Sequence, residues 1–265
     1  MIDYLFRISD VYLFALLSCV SIVISVIAVY LVKRFIPFHL RSQDNNVIGN
    51  TAALISVIYG VLAGLSALYL INNNNYTADA VQREANAVAD IYRDSQWLQD
   101  PAKIKIQTAI KSYLTRVIDT EWTLMKNGQH IENREGNLII DQITNELIHY
   151  NAISNSASLL MHDMLDEIRN LYDARQQRIQ MSYNALSSAL WIVIIIGTIL
   201  TLFINYLFGV NFYLHQITVI AAALMTSSMI FLLITLDKPF QGQFIIGPDA
   251  FQTILADIES KPKPI

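Results

Sequence analysis

Four stretches of this chain hold no Asp, Glu, Lys or Arg: residues 11–32, 47–71, 189–209 and 214–236. Each is close to the roughly 20 apolar residues that a helix, rising ~1.5 Å per residue, needs to cross hydrocarbon. They come in two pairs. The first pair is closed by Lys33–Asn45, "KRFIPFHLRSQDN", with three basic residues and the helix-breaking Pro37. The second is closed by Gly209–Tyr213, "GVNFY", short enough only for a tight turn. Tyr206, Phe208, Phe212 and Tyr213 around that turn suit an interfacial aromatic belt. The pattern predicts an all-α membrane protein, with four transmembrane helices in two hairpins flanking a helical extramembrane domain.

Charge separates the parts. Only 15% of the chain is charged, against about 25% in an ordinary soluble domain. Residues 76–185 carry 11 Lys/Arg and 15 Asp/Glu, which is 26 of the 40 charged residues. The expected division is a first transmembrane hairpin over 1–75, a helical soluble domain over 76–188, a second hairpin over 189–236 and a C-terminal turn and tail over 237–265. A net charge of −4 argues against nucleic acid as a partner.

The first apolar run is read as a span and not as a cleaved signal. It is too long for an h-region, follows one Arg and two Asp, and precedes no small-residue cleavage site. "LLSC" (Leu16–Cys19) has the look of a lipoprotein box, but apolar sequence continues past Cys19, the single cysteine. No internal disulfide is available to it. Four spans place both termini and the middle domain on one side. Arg7, Arg83, Arg175, Arg178 and Lys238 on that side outnumber the three positives of the first loop, which favours the cytoplasmic face of a bacterial inner membrane.

The middle region reads as packed helices. Val81, Ala85, Val88 and Tyr92 form one stripe; Ile106, Ile110, Tyr113, Val117 and Leu124 form a second; Ile143, Leu147 and Tyr150 form a third. Asp100-Pro101 supplies an N-cap and a first-turn proline, and Asn127–Asn137, "NGQHIENREGN", a turn-rich break. From Ser154 an amphipathic pattern runs without Gly or Pro through Arg178 to Trp191, which predicts one long stiff helix into the third span. "NNNNY" (Asn72–Tyr76), four poor helix formers, predicts a weak junction behind the second span.

The second span is unusual for its small residues: Gly49, Ala53, Ser56, Gly60, Ala63 and Ala67, with Gly60 and Gly64 as a small-xxx-small pair. Small residues let helices approach closely in lipid, where packing drives association. One reading is a tight contact between two helices of a single subunit. The other is several copies of this helix around an axis, with Asn50, Thr51, Ser56, Gly60 and Gly64 lining a narrow neck and Ile55, Val57 and Leu62 gating it partly by dewetting. No charge ring lies in the spans, which argues against a side-chain charge filter.

Behind the last span stands "LDKPFQGQF" (Leu236–Phe244). Pro239 disfavours helix at Lys238, so the span must end near Leu236–Asp237, and Gly242 permits a turn that other residues would not follow. Phe240 and Phe244 are too apolar for water. Asp237 faces the unfavourable end of the helix dipole and needs a partner, for which Arg175 or Arg178 is the expected one. Asp237, Pro239, Phe240, Gly242, Arg175 and Arg178 are thus read as a structural clasp between membrane block and helical domain.

This order of parts resembles the bestrophin channels, and more closely a bacterial group of bestrophin-like membrane proteins. The similarity is carried by "EANAVADIYR" after the second span, "DARQQR" (Asp173–Arg178) leading to "LW", and "LDKPFQGQFIIGPDAF". The resemblance implies a homo-oligomeric ion channel, a pentamer in preference to a tetramer, with inorganic ions and the lipid membrane as partners. Bestrophins follow their Pro-Phe-Gly with an acidic calcium-binding run. Here Gln241 intervenes and Asp249 is the only acid in "QFIIGPDAF", so no calcium or other metal is expected. The proline that often precedes the third span in the group is missing from "NALSSALW".

The remaining constellations are bland. His162 and Asp166, beside Asp163 and Glu167, read as a solvated helix face and not as metal ligands. Arg175 and Arg178 read as partners of Asp173 in preference to lipid headgroups. No phosphate loop, nucleophile elbow, Cys/His metal spacing or HExxH is found, so no enzyme and no cofactor is expected. The alternative to a channel is a non-conducting membrane sensor, signalling protein or scaffold whose helical domain binds a ligand or partner.

Overall fold

The structure, a computed structural model, describes residues 9–37, 43–151, 154–242 and 246–260. Among these residues there are no strands. In chain order the helices are α1 (Asp10–Phe35), α2 (Asn45–Ser95), α3 (Ala102–Thr115), a π-helical segment (Arg116–Glu121), α4 (Trp122–Lys126), α5 (Asn133–Ile148), α6 (Asn155–Tyr183), α7 (Ser188–Tyr206), α8 (Phe212–Leu236) and α9 (Asp249–Ser260). Four helical stretches are long and apolar enough to cross a membrane, in the positions of the four expected spans. The protein is a multi-pass membrane protein.

The chain forms two compact units. One comprises Met1–Asn72 and Ala185–Lys238; the other comprises Asn73–Asn184 and Pro239–Ile265. In the first unit, the hairpins of the chain order interleave, because α1 packs along α8. Phe14 meets Phe231 edge-on at 5.3 Å, and the Ser18 and Ser227 hydroxyls lie 3.3 Å apart. Ser25 and the Tyr206 hydroxyl are 2.9 Å apart, so Tyr206 is a buried hydrogen-bonding residue. Phe212 lies under the Lys33 ammonium, 4.1 Å from the ring centre. Asn45 pins the start of α2 to the α7–α8 turn, donating to the Gly209 carbonyl at 3.0 Å and accepting its N–H at 2.8 Å.

In the second unit the predicted stripes form the core. Val81, Ala85, Val88, Ile106, Ile110, Tyr113, Val117, Ile143 and Leu147 are all buried in one cluster, with Tyr92, Leu124 and Tyr150 packed against it. α3 starts one residue later than expected, with Pro101 in the N-cap position. The turn-rich break is shorter than the sequence indicates, since α5 begins at Asn133 and carries Gly136 inside it.

Both junctions differ from expectation. α2 runs unbroken through Asn72–Tyr76 as one 51-residue helix. Four asparagines cost at most about 0.7 kcal/mol each relative to alanine, and flanking helix on both sides removes any new nucleation cost. The stretch from Ser154 to Trp191, by contrast, is interrupted. α6 ends at Tyr183, residues 184–187 are extended or irregular, and α7 starts at Ser188 with the Ser187 hydroxyl accepting the Leu190 N–H at 3.3 Å.

Candidate functional site

Three groups of residues stand out in the sequence. The first is the apolar half of α2. Ala52, Ala63, Ser66, Ala67 and Leu70 are buried. Ala67 and Leu70 pack with Leu186, Ile194 and Leu233. Tyr59 reaches across to Thr198, 3.1 Å between hydroxyls, over Gly197, where a Cβ would stand 2.7 Å from the Tyr59 ring. The contact within one subunit therefore takes Ala63 and Ala67.

It does not take Gly60 or Gly64. A Cβ at either would meet nothing within 4 Å, and both positions are exposed, as are Asn50 and Ala53. At about 100° per residue, Ser56, Gly60 and Gly64 lie within a quarter-turn of one another, but Thr51, nine residues before Gly60, points to the opposite side of the helix. The Thr51 hydroxyl donates to the Val47 carbonyl of its own helix at 2.9 Å. The five residues named from the sequence are thus not one stripe; Thr51 stands apart.

The second group contains Arg175 and Arg178, three residues apart on α6 and both almost wholly buried. Arg178 donates to both oxygens of Glu84 on α2, at 2.6 and 2.9 Å, and to Glu121 at 2.8 Å. Arg175 makes a two-pronged pair with Glu121, at 2.8 and 2.9 Å, and reaches Asn137 at 3.3 Å. The Tyr113 hydroxyl donates to Glu84 at 2.6 Å. Their partners are neither Asp173 nor Asp237, as the sequence led us to expect, but two carboxylates with no exposure at all. Asp173 has no competing claim, because a charge this deep needs a partner as deep.

Local structure builds this site. The wider π turn keeps Val117 and Glu121 on the buried side, so the stripe of α3 continues into a carboxylate. Gly136 leaves the room: a Cβ there would stand 2.1 Å from Arg175 Nη2 and 2.4 Å from its Cζ. The guanidinium of Arg178 also lies over Trp122, 5.3 Å from the ring centre, and that of Arg175 over Tyr113, at 5.6 Å. Burial opposes ionisation of Glu121, but Arg178 and Arg175 outweigh it and hold its carboxyl below the ordinary value. Burial, reinforced by Glu84, pushes the Tyr113 phenol well up, so it remains a donor. Glu84, Glu121 and the π turn escaped sequence reasoning; an isolated Glu between Val81, Ala85 and Val88 is the one signal that was available.

The third group is the turn behind α8, which ends at Leu236 as Pro239 requires. Asp237 is buried and accepts the Leu186 N–H at 2.5 Å. A backbone donor satisfies it where an arginine was expected. Beyond Lys238, Phe240 is buried against Trp122, edge-on at 5.6 Å, and the Pro239 carbonyl accepts the Ile246 N–H at 2.9 Å. Gly242 has φ +98°, a conformation that side chains disfavour. Phe244 lies outside the described residues. Among the described residues no group of three or more His, Cys, Asp or Glu forms a metal cage. Asp166 instead pairs with Arg169 at 2.8 Å on an exposed face.

The Bestrophin-like domain family model matches residues 19–251. The chain belongs to the bestrophin-like family. A search of curated proteins gave no significant match. Among solved structures, one mutant form of a bacterial bestrophin homologue from Klebsiella pneumoniae aligns with TM-score 0.69 at 12% identity, over 94% of this chain and 99% of that one. A second mutant form aligns with TM-score 0.70 at 12% identity, over 95% and 97%. At such identity the likeness is one of fold, and it extends over both units of this family member.

Two outcomes follow from the buried charges. Gly136→Ala should cost about 1–3 kcal/mol, as overpacking does, and most of that cost should vanish in an Arg175→Ala background, measured as a double-mutant cycle by thermal or denaturant unfolding. For Glu121 the folded pKa is lowered, so its stabilisation is complete above the ordinary carboxylate value and is lost as pH falls through the folded one. Melting temperature should therefore drop in acid, and Glu121→Gln, less stable at neutral pH, should show a shallower drop when followed by circular dichroism.

Proposed function

We propose that the protein is a homo-oligomeric bestrophin-like ion channel, with α2 of each subunit lining a narrow neck. The observation that carries this reading is the bare face of α2. Gly60 and Gly64 meet nothing in their own subunit, although the neighbouring small residues Ala63 and Ala67 are packed. Family membership supports the same architecture. Asn50, Ser56, Gly60 and Gly64 are the proposed lining, with Val57 beside them as a dewetting constriction; Thr51 falls outside it. A pentamer is favoured over a tetramer, with inorganic ions as cargo. The proposed setting is a bacterial inner membrane with both termini and the helical unit cytoplasmic. Arg7, Arg83, Arg175, Arg178 and Lys238 near the span ends on that side outnumber the three positives of the first loop, which supports this orientation. The proposed role of Asp237, Pro239, Phe240 and Gly242 is structural: a turn whose two ends are each anchored in a different unit.

A second reading, a non-conducting sensor, is favoured by one observation. The helical unit carries an open cleft of about 400 Å³ lined by Trp97, Leu98, Tyr150, Ser154 and Leu160, where a small ligand would fit. Ion flux separates the two readings.

Gly60→Leu is the decisive substitution, because a single subunit has room for it. The variant should fold but lose subunit association, read as a fall from a ring to smaller species by native mass measurement in mild detergent. A wild-type protein that is only monomeric would refute the ring. In liposomes, cysteines at Asn50, Ser56 or Gly60 in a Cys19→Ser background should react with small aqueous reagents and alter ion flux. No flux at any voltage, pH or calcium level would favour the sensor.

A further inference from the structure

Residues 184–187, Asn-Ala-Leu-Ser, separate α6 from α7 but contain neither Pro nor Gly. Nothing in their covalent structure forbids helix. The flanks are helical for 29 residues before and 19 after, so a continuous helix would need no new nucleus. The Ser187 cap favours a break locally but is worth only about 1 kcal/mol. Two further contacts, both at Leu186, hold the interruption. Leu186 turns into the apolar cluster with Ala67, Leu70, Ile194 and Leu233. Its N–H, which a continuous helix would point at the Ser182 carbonyl, goes instead to the buried Asp237 carboxylate at 2.5 Å.

We propose that residues 184–187 are a two-state segment, and that Asp237 is the residue that selects the broken state. With its carboxylate in place, the Leu186 N–H has a charge-assisted acceptor stronger than a backbone carbonyl. Without it, the same N–H is orphaned in an apolar environment, and the cheapest remedy is the ordinary helical bond. The segment then closes, and helix runs from Asn155 to Tyr206. The groups acting on the carboxylate are the Leu186 N–H, the adjacent Lys238 and the Trp191 side chain. Burial raises the Asp237 carboxyl above its ordinary value, with the Leu186 bond opposing. This device is independent of whether the protein conducts.

Hydrogen exchange of the full-length protein in detergent or nanodiscs tests it, because the two possibilities have opposite signs. In Asp237→Ala the amides of residues 185–188 should exchange more slowly than in wild type, by about tenfold, the effect of one gained hydrogen bond of ordinary net strength. If the break is not two-state, losing Asp237 merely frees Leu186, and exchange there becomes faster or is unchanged; either result overturns the proposal. Ser188→Pro supplies the control. Residue 188 opens α7, where proline is favoured, and Ser187 before it is already extended at φ −59°, ψ 144°. A proline at 188 leaves the broken state intact and blocks the closed one. The double variant Asp237→Ala/Ser188→Pro should therefore exchange faster than wild type, and slower exchange in it would equally overturn the proposal. Should Asp237→Ala fail to fold, Asp237→Asn, which keeps the side-chain volume but not the charge, should give the same sign with a smaller change.

Discussion

Two arginines and two glutamates, all but wholly buried, hold the helical unit in register. Removing four charges from solvent costs several kcal/mol for each, so such a group is tolerated only when every prong is matched. Here the matching is close to complete. Each guanidinium has a carboxylate, both carboxylates are shared or doubly bonded, and Tyr113 supplies one donor more. Because hydrophobic replacements can equal such a group in stability, what it adds is geometry. Glu84 comes from α2, Glu121 from the π turn and both arginines from α6, so α6 cannot slide by one residue without leaving a charge unpaired. The π turn and Gly136 are conditions of the same arrangement. An ordinary α turn would alter the direction of Glu121, and a methyl group at 136 would occupy the place of the Arg175 guanidinium.

Helix identity and burial were largely legible because both follow from local periodicity. Val81, Ile110 or Leu147 needs only its neighbours at three and four residues to be assigned to a core face. The carboxylate partners of Arg175 and Arg178 lie 54 to 94 residues away in sequence, and no local pattern encodes them. Proximity in sequence made Asp173 attractive and the helix dipole made Asp237 so, but Asp173 is exposed and Asp237 takes the Leu186 N–H. The two junctions show the same limit. Asparagine propensities and an uninterrupted amphipathic run are both weak local preferences. Each was overridden, the first by the length of helix around it and the second by Leu186 seeking a core and Asp237 capturing its N–H.

A fold kept at 12% identity over nearly the whole chain rests on pattern more than on particular side chains. Hydropathy and periodicity are enough to set spans and helices, whereas a particular contact needs particular residues. Behind Pro239 and Phe240, for example, Gln241 is buried beside Gly128, whose positive φ and tight space accommodate that side chain. What occupies the turn is packing.

Glycine in a helix costs about 1 kcal/mol relative to alanine, because it surrenders more backbone freedom. Gly60 and Gly64 both bear that cost on a face where their own subunit gives nothing back, since no atom lies within 4 Å of where a side chain would begin. Facing lipid, a larger apolar residue would serve better. Two glycines one turn apart make physical sense where another backbone, or a path that must stay open, comes close to that face. This is the reason for placing the proposed neck at Gly60 and Gly64, beside but not within the contact made by Ala63 and Ala67.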